Sequence, residues 1–340
     1  MINIDFTTIE EISQIEIAFG CSIGFIQTVL DKPSLFYDQL QIPKKGRGQK
    51  GKYRIVYKVE DELNLLQKNI ATVINSKVSF PEYVQGFVSK RSIATNASLH
   101  LSKKYVLNID IKDFFDTIHQ QQVCEVFNNL RCVDKIADVF AQLCTFNQHL
   151  VQGSSTSPVL ANLVCQQLDE AFVDLAKQYN CSYSRYADDI TFSGEKTPGK
   201  KEIKRCLKNY GFELNSNKWK SQSRGRSQYV TGLTVFDTTM PRISKSLKRI
   251  LRQILYYASK YGLENHLDRV HDFNHKNMRY DINTIDGLIA FMYSVEPNRA
   301  LQLDMEWQRI LNAQEAEEAE SSSRKRKRNP EVIFARRSKL

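Results

Sequence analysis

The sequence predicts an α+β fold, on three observations. Residues 106–110, Val-Leu-Asn-Ile-Asp, form a short apolar run bounded by polar residues, the pattern of a buried strand. Residues 182–193 read as two strands joined at a tight acidic turn. Around both lie stretches with helical apolar spacing, the clearest at 242–261.

The elements follow in order. Residues 1–40 read as helices joined by a turn, with Pro33 as a break. Residues 43–52 form a Gly-rich basic loop, Pro-Lys-Lys-Gly-Arg-Gly-Gln-Lys-Gly-Lys, and residues 53–59 alternate toward a strand. As a hairpin tip the loop is simply solvated, but its density of cations points to phosphate contact. Residues 61–76 predict a helix, as do 117–129 and 133–147. Residues 154–179 read as one helix, with Ser and Thr as N-cap oxygens and Pro158 in the first turn, where its missing N–H costs nothing. Residues 200–210 are helical and 213–235 hold several short strands. In 242–261, Leu247, Ile250, Leu251, Ile254, Leu255 and Ala258 are assigned to one face, and Lys245, Lys248, Arg249 and Arg252 to the opposite one. Helix continues to about Asn312, broken at Pro297. The composition then changes to an acidic run and to Ser-Ser-Ser-Arg-Lys-Arg-Lys-Arg at 321–328, so 313–340 is expected to be a charged, disordered tail.

Composition narrows the classes. The chain has 340 residues, 41% hydrophobic and 25% charged, enough for two or three subdomains around a large core. No apolar run approaches the roughly 20 residues that span a bilayer, so no membrane partner is expected. The start lacks a basic segment followed by a hydrophobic one, so no signal peptide is expected. The seven cysteines form neither CxxC nor Cys/His zinc spacing, and reduced thiols in a cytoplasm are the simplest reading. A net charge of +10 suggests a polyanionic partner, most often nucleic acid.

The strongest chemical signal is Tyr186-Ala187-Asp188-Asp189, flanked by Tyr183, Ile190 and Phe192 in strand-like alternation. Adjacent carboxylates at a hairpin tip repel one another unless a cation sits beside them. A third carboxylate, Asp110, ends the buried strand. Carboxylates on two strand ends suit a pair of hard cations roughly 4 Å apart, the arrangement that clamps the attacking and leaving oxygens of a phosphoryl transfer. An Asp-Asp pair alone more often marks an exposed turn; Asp110 and the basic chain shift the balance toward a metal site.

These residues resemble the reverse transcriptase family. Tyr-Ala-Asp-Asp is similar to the motif at that family's catalytic centre, and residues 109–115, Ile-Asp-Ile-Lys-Asp-Phe-Phe, resemble its first catalytic motif. Residues 152–158, Gln-Gly-Ser-Ser-Thr-Ser-Pro, with Asn162, resemble the QG…SP block, and Gly211-Phe212-Glu213-Leu214-Asn215 with Lys218 the motif after the acidic hairpin. The order and spacing agree over roughly residues 40–260. The resemblance implies a right-hand polymerase. Fingers and palm would occupy 1–240, with the fingers near 1–105 and 117–180 and an antiparallel palm sheet carrying the catalytic Asp residues at about 106–116 and 181–240. A helical thumb would occupy 241–312.

The same resemblance implies roles. Asp110, Asp188 and Asp189 would coordinate two Mg²⁺ ions, with the Ile111 carbonyl as a further ligand. Phe115 matches the position under the incoming sugar, where a ring excludes a 2′-hydroxyl; plain core is its other reading. Gln152 would touch the incoming dNTP, and Arg54 with Lys52 would grip its triphosphate. Lys218 matches a lysine that protonates pyrophosphate, or is a surface lysine; Trp219 stands where the family often has Thr.

Two further motifs look retron-like: Asn96-Ala97-Ser98-Leu99-His100, similar to the NAxxH element, and Val230-Thr231-Gly232, similar to the VTG element. Retron enzymes, by this resemblance, prime from the 2′-hydroxyl of a guanosine in their own structured non-coding RNA and make branched RNA–DNA (msDNA), commonly with an effector protein in anti-phage defence in the bacterial cytoplasm. Expected RNA contacts are Lys245, Lys248, Arg249 and Arg252 for phosphates, and Asn96, His100 and Thr231 for selectivity. For Asn96 and His100 the other reading is that they hold the fold together. Run 324–328 resembles a nuclear-import signal and is read here as an RNA-binding tail. The alternatives are a mobile-intron or diversity-generating reverse transcriptase, or an RNA-binding scaffold with a silent polymerase; the chain is short for an intron enzyme with its added maturation and endonuclease domains, and the intact Asp set argues against the scaffold.

Overall fold

A computed structural model describes residues 4–44, 51–263 and 281–328. The chain forms two compact units, the first ending at Thr231 and the second beginning at Gly232.

The first unit opens with α1 (Ile12–Phe19) and α2 (Ile23–Asp31). Gly20 ends α1 at φ 72°, a left-handed cap that costs glycine nothing. Ser22 caps α2, its Oγ accepting from the Phe25 N–H. A 3₁₀ turn at Pro33–Phe36 then leads into β1 (Tyr37–Pro43), which pairs antiparallel with β2 (Tyr53–Val59). The sequence reading ran helix through to 40; the alternation that makes β1 is hidden because six of its seven residues are exposed. Residues 45–50 of the basic loop lie outside the described residues.

Next comes α3 (Asp61–Lys77), whose Glu60 cap accepts two first-turn N–H groups, then α4 (Ile93–Ser98), capped by Ser92. Helices α5 (Gln120–Asn129) and α6 (Asp134–Cys144) follow β3 (Tyr105–Asp110). The expected single helix over 154–179 is two, α7 (Ser157–Val164) and α8 (Gln166–Gln178), separated at Cys165. Strands β4 (Cys181–Tyr186) and β5 (Asp189–Gly194), helix α9 (Lys200–Asn209), β6 (Lys220–Ser223) and β7 (Tyr229–Val230) complete the unit.

One antiparallel sheet has the order β4-β5-β3-β6. Strand β3 is interior, so its run of Val106, Leu107 and Ile109 is buried on both faces, which explains why it reads as continuous rather than alternating. Phe172 of α8, Tyr183 of β4 and Phe192 of β5 meet ring to ring and fasten α8 to the sheet. Each such buried ring contributes on the order of 1.5–3 kcal/mol.

The second unit contains β8 (Leu233–Thr234), α10 (Lys245–Tyr261), α11 (Ile282–Tyr293) and α12 (Pro297–Arg328). Trp307 is fully buried and donates to Asp286 Oδ1 at 2.6 Å, joining α12 to α11. The sequence reading ended helix near 312, whereas the backbone stays helical to Arg328. Ala, Gln and Glu at 313–320 are strong helix formers, and neither Gly nor Pro intervenes before Pro330. Residues 329–340 of the expected tail and residues 264–280 lie outside the described residues. No single described helix is long and apolar enough to cross a membrane.

Candidate active site

The acidic hairpin is built by register. Tyr186 pairs with Asp189, so Ala187 and Asp188 form a two-residue turn between β4 and β5. Ala187 sits at φ 57°, a conformation that costs an L-residue roughly 1–2 kcal/mol. Asp189 lies directly opposite Asp110 on β3, and the Asp188 carbonyl accepts from the Ile111 N–H at 3.0 Å. Three carboxylates thereby share one corner of the sheet. The bonds at this bend use the Asp110 carbonyl and the Ile111 and Lys112 amides, leaving the Ile111 carbonyl out of them.

The electrostatics record crowded negative charge. Burial first, then the charges of Asp189 and Asp110, raise the Asp188 carboxyl to about 6. Burial and then the charge of Asp110 raise Asp189, moderated by Lys218. Asp110 is 2% exposed and has partners of its own. Asn215 Nδ2 donates to its Oδ1 at 2.8 Å, and Lys218 Nζ bonds Oδ2. Burial opposes the Lys218 charge, but the Asp110 bond and the three carboxylates outweigh it and raise the lysine. Among the described residues no group of three or more Asp, Glu, His or Cys side chains stands where it could hold a metal ion. The donor set nevertheless suits a hard divalent ion: oxygen ligands only, with more negative charge than Lys218 alone neutralises.

Under the turn lies a buried network that sequence reasoning missed. Arg185 is fully buried and forks onto Asp169 of α8, Nε to Oδ1 at 2.7 Å and Nη2 to Oδ2 at 2.6 Å. Its Nη1 donates to Asn162 Oδ1 at 2.9 Å, and Tyr183 Oη donates to Asp169 Oδ1 at 2.6 Å. Asn162 in turn donates to the Gly86 carbonyl at 2.9 Å. The signal available in the sequence was a charged residue inside an otherwise buried strand, next to the Tyr-Ala-Asp-Asp turn; nothing in the sequence pointed to its partner.

The other expected site residues divide. Phe115 is half-buried beside Phe114 and Phe87. Gln152 is half-buried, and its carbonyl accepts from the Tyr57 N–H of β2 at 2.7 Å. Gly153 follows at φ 116°, where an added Cβ would lie 1.9 Å from the Tyr57 carbonyl oxygen, so only glycine permits this approach. The Gln152 loop is thus fixed to the strand that carries the exposed Arg54, with Lys52 just before it.

Three expectations need correction. Lys248 is 6% exposed and ion-paired to Glu296 at 2.6 Å, not on the basic face. At 100° per residue it falls about 20° beyond Leu255, at the edge of the apolar stripe and on the side of Arg252. Lys245, Arg249 and Arg252 are exposed as expected. Asn96 and His100, expected to read RNA, are 1% and 0% exposed. His100 bonds Ser193 Oγ through Nδ1 at 2.6 Å and Ser184 Oγ through Nε2 at 2.7 Å. Burial lowers its pKa to about 3, so it is neutral. Asn96 Oδ1 accepts from Ser184 Oγ at 2.7 Å, and Thr231 Oγ1 donates to the Ile93 carbonyl at 3.0 Å. Their polar groups are committed inside the fold.

Residues 42–280 match the family described as reverse transcriptase (RNA-dependent DNA polymerase), and the chain belongs to that family. Similar curated proteins include the retron Mx65 reverse transcriptase of Myxococcus xanthus, 29% identical over 84% of this chain and 68% of its own. The retron Ec73 reverse transcriptase of Escherichia coli is 29% identical over 84% of this chain and 90% of its own. The retron Se72 reverse transcriptase of Salmonella heidelberg (strain 579083-10) is 27% identical over 78% and 72%. The chain is a retron-type reverse transcriptase, an RNA-directed DNA polymerase. Among solved structures, telomerase from Candida tropicalis matches with a TM-score of 0.45 and 14% identity, over 80% of this chain and 56% of that one.

Proposed function

We propose that the chain copies part of its own structured non-coding RNA into single-stranded DNA, starting from a 2′-hydroxyl of that RNA and yielding branched RNA–DNA. The observation that carries the catalytic reading is the register of Asp110 against Asp189, with Asp188 in the joining turn. In this reading the β4-β5-β3-β6 sheet is the palm, the helices before and between its strands with the β1–β2 hairpin are the fingers, and residues 241–312 of the second unit are the thumb. Residues 313–340 follow it in the sequence as a charged tail.

Asp110, Asp188 and Asp189, with the Ile111 carbonyl, would hold two Mg²⁺ ions. When bound, such ions lower the pKa of an attacking hydroxyl and neutralise a triphosphate. The chain's own groups do the rest. Phe115 lies under the incoming sugar and excludes a 2′-hydroxyl. Gln152 touches the nucleotide, and Lys52 and Arg54 hold its phosphates, Arg54 through a rigid fork of donors. Lys218, which bonds Asp110, would give a proton to departing pyrophosphate. Lys245, Arg249 and Arg252 supply salt-dependent phosphate contact. In a bacterial cytoplasm, an effector protein would complete an anti-phage defence assembly.

Primer extension with and without Mg²⁺ tests the catalytic reading. The parent extends a primer on RNA only with the ion, and Asp188→Ala abolishes synthesis while sparing RNA binding. Near-normal extension by Asp188→Ala would sink the metal assignment. Sequencing the nucleic acid that co-purifies, with a debranching step, tests the branched product.

A further inference from the structure

Residues 80–91 form a fastened loop with one large apolar side chain left outside. Arg91 binds this loop by donating to the carbonyls of Phe80, Pro81 and Val84. The amides of Gln85 and Gly86 donate to the Arg185 carbonyl at 2.7 and 3.4 Å, and the Gly86 carbonyl is held by Asn162. Gly86 lies so close to the acidic turn that an added Cβ would come within 2.3 Å of the Ala187 nitrogen. The next residue, Phe87, is 44% exposed and sits at φ 61°. A bulky residue in the left-handed region is strained, and an exposed ring gains little burial to offset that cost. Such a conformation persists only where its surroundings impose it, and it clusters at functional sites. The Phe87 ring lies 6.3 Å from the Phe115 ring, tilted by 42°. Phe87 thus keeps much of its ring exposed while packing against Phe115, five residues after Asp110.

We propose that Phe87 is a base-binding residue of the polymerase site, stacking its exposed ring on a nucleobase of the template, the primer end or the incoming nucleotide. The inference rests on reading Asp110, Asp188 and Asp189 as the polymerase centre. An aromatic face stacks on any base, which suits a polymerase that must accept every sequence. The loop's attachment to Gly86, Ala187 and Asn162 ties the ring's position to that of the carboxylates.

The test compares Phe87→Gly, Phe87→Leu and Phe87→Trp with the parent, each purified with its bound RNA. Glycine takes a positive φ freely, so Phe87→Gly should melt at the parent's temperature or above. Its extension efficiency should fall five-fold or more, the size of one lost stacking contact. Phe87→Leu should behave similarly, and Phe87→Trp should restore activity. A 2-aminopurine base placed in the template or at the primer end identifies the partner through loss of stacking quench in Phe87→Gly; a raised KM for dNTP without either change assigns it to the incoming nucleotide. Parent-like kinetics and quench in Phe87→Gly, with a parent that extends and an Asp188→Ala protein that does not, would overturn the stacking proposal alone. A melting temperature that falls with activity would make Phe87 structural and also overturn it. A parent that fails to extend would remove the polymerase-centre reading itself and the proposal with it.

Discussion

Removing the Asp169 carboxylate should unfold the first unit at a markedly lower temperature. Arg185 and Asp169 are 0% and 1% exposed, so neither charge has water to fall back on. In Asp169→Ala the guanidinium keeps Asn162 Oδ1 at 2.9 Å and a long contact to the Ala187 carbonyl at 3.4 Å, and loses both short carboxylate bonds. Tyr183 Oη loses its acceptor as well. Breaking a buried pair from one side costs about 3–5 kcal/mol. For a unit of this size each kcal/mol moves Tm by about 2–4 °C, so the drop should be roughly 6–20 °C by scanning calorimetry. Replacing both partners by apolar residues, Arg185→Met with Asp169→Leu, removes both charges and should recover most of that loss. DNA synthesis should not recover, because Asn162 and the Ala187 carbonyl lose their common donor and the acidic turn loses its support from below. A Tm drop under about 2 °C for Asp169→Ala, or a double variant no more stable than the single ones, would refute the argument.

In the metal-free protein Asp188 is raised from 3.8 to about 6, by burial first and then by Asp189 and Asp110. Between those values the folded state holds a proton that the unfolded state has lost, so metal-free stability falls as pH rises through this window. Mg²⁺ needs the ionised form, so its increment in Tm should be present near pH 7.5 and vanish near pH 5; equal increments at both would refute the coupling. Phe115→Ala should lower discrimination between dNTP and rNTP by about ten-fold in competitive incorporation, and unchanged discrimination would make the ring core packing. Lys248→Ala should lower the Tm of the second unit and leave the salt dependence of RNA binding unchanged, whereas Lys245, Arg249 and Arg252 changed together to Ala should flatten that dependence by up to roughly 2–3 in slope. His100→Ala should cost about 1–3 kcal/mol of stability and reduce cognate priming and generic extension together; loss of cognate priming alone would restore a direct RNA role.

The sheet and its acidic corner were legible because both signals are local. An apolar run ending in Asp110 and an alternating pair around Asp188 and Asp189 each declare a strand end, and register then brings them together. Face assignment on α10 failed at Lys248 because residue type was taken as a guide to exposure. Its angle places it at the edge of the apolar stripe, between Leu255 and Arg252, and the partner that permits burial, Glu296, is distant in sequence. The Arg185–Asp169 pair was illegible for the same reason, since a buried charge can be guessed from one element only when its counterion is on that element. The left-handed backbone at Phe87 was also hidden, because neither its residue type nor its neighbours demand it.

The burial of Asn96 and His100 changes where selectivity for RNA can reside. Asn96 and Thr231 lie within 3.4 Å of each other across the fold, so the two short retron-like elements form one structural joint rather than two surface patches. Its remaining members are Ser184 on β4 and Ser193 on β5, the strands that carry the acidic turn. A neutral His100, bonded at both ring nitrogens, spans those strands from beneath. The joint therefore acts on the catalytic sheet, by fixing the strands and holding Thr231, the last residue of the first unit, to the Ile93 carbonyl. Polar groups satisfied inside the fold have no donor or acceptor to spare for a base edge. Under the proposed function, recognition of a particular RNA would then come from exposed groups, among which Lys245, Arg249 and Arg252 would provide charge without sequence preference. Sequence or shape preference would arise from how the RNA's own folded form meets those charges, which is how duplex RNA is read when its deep groove is closed to side chains.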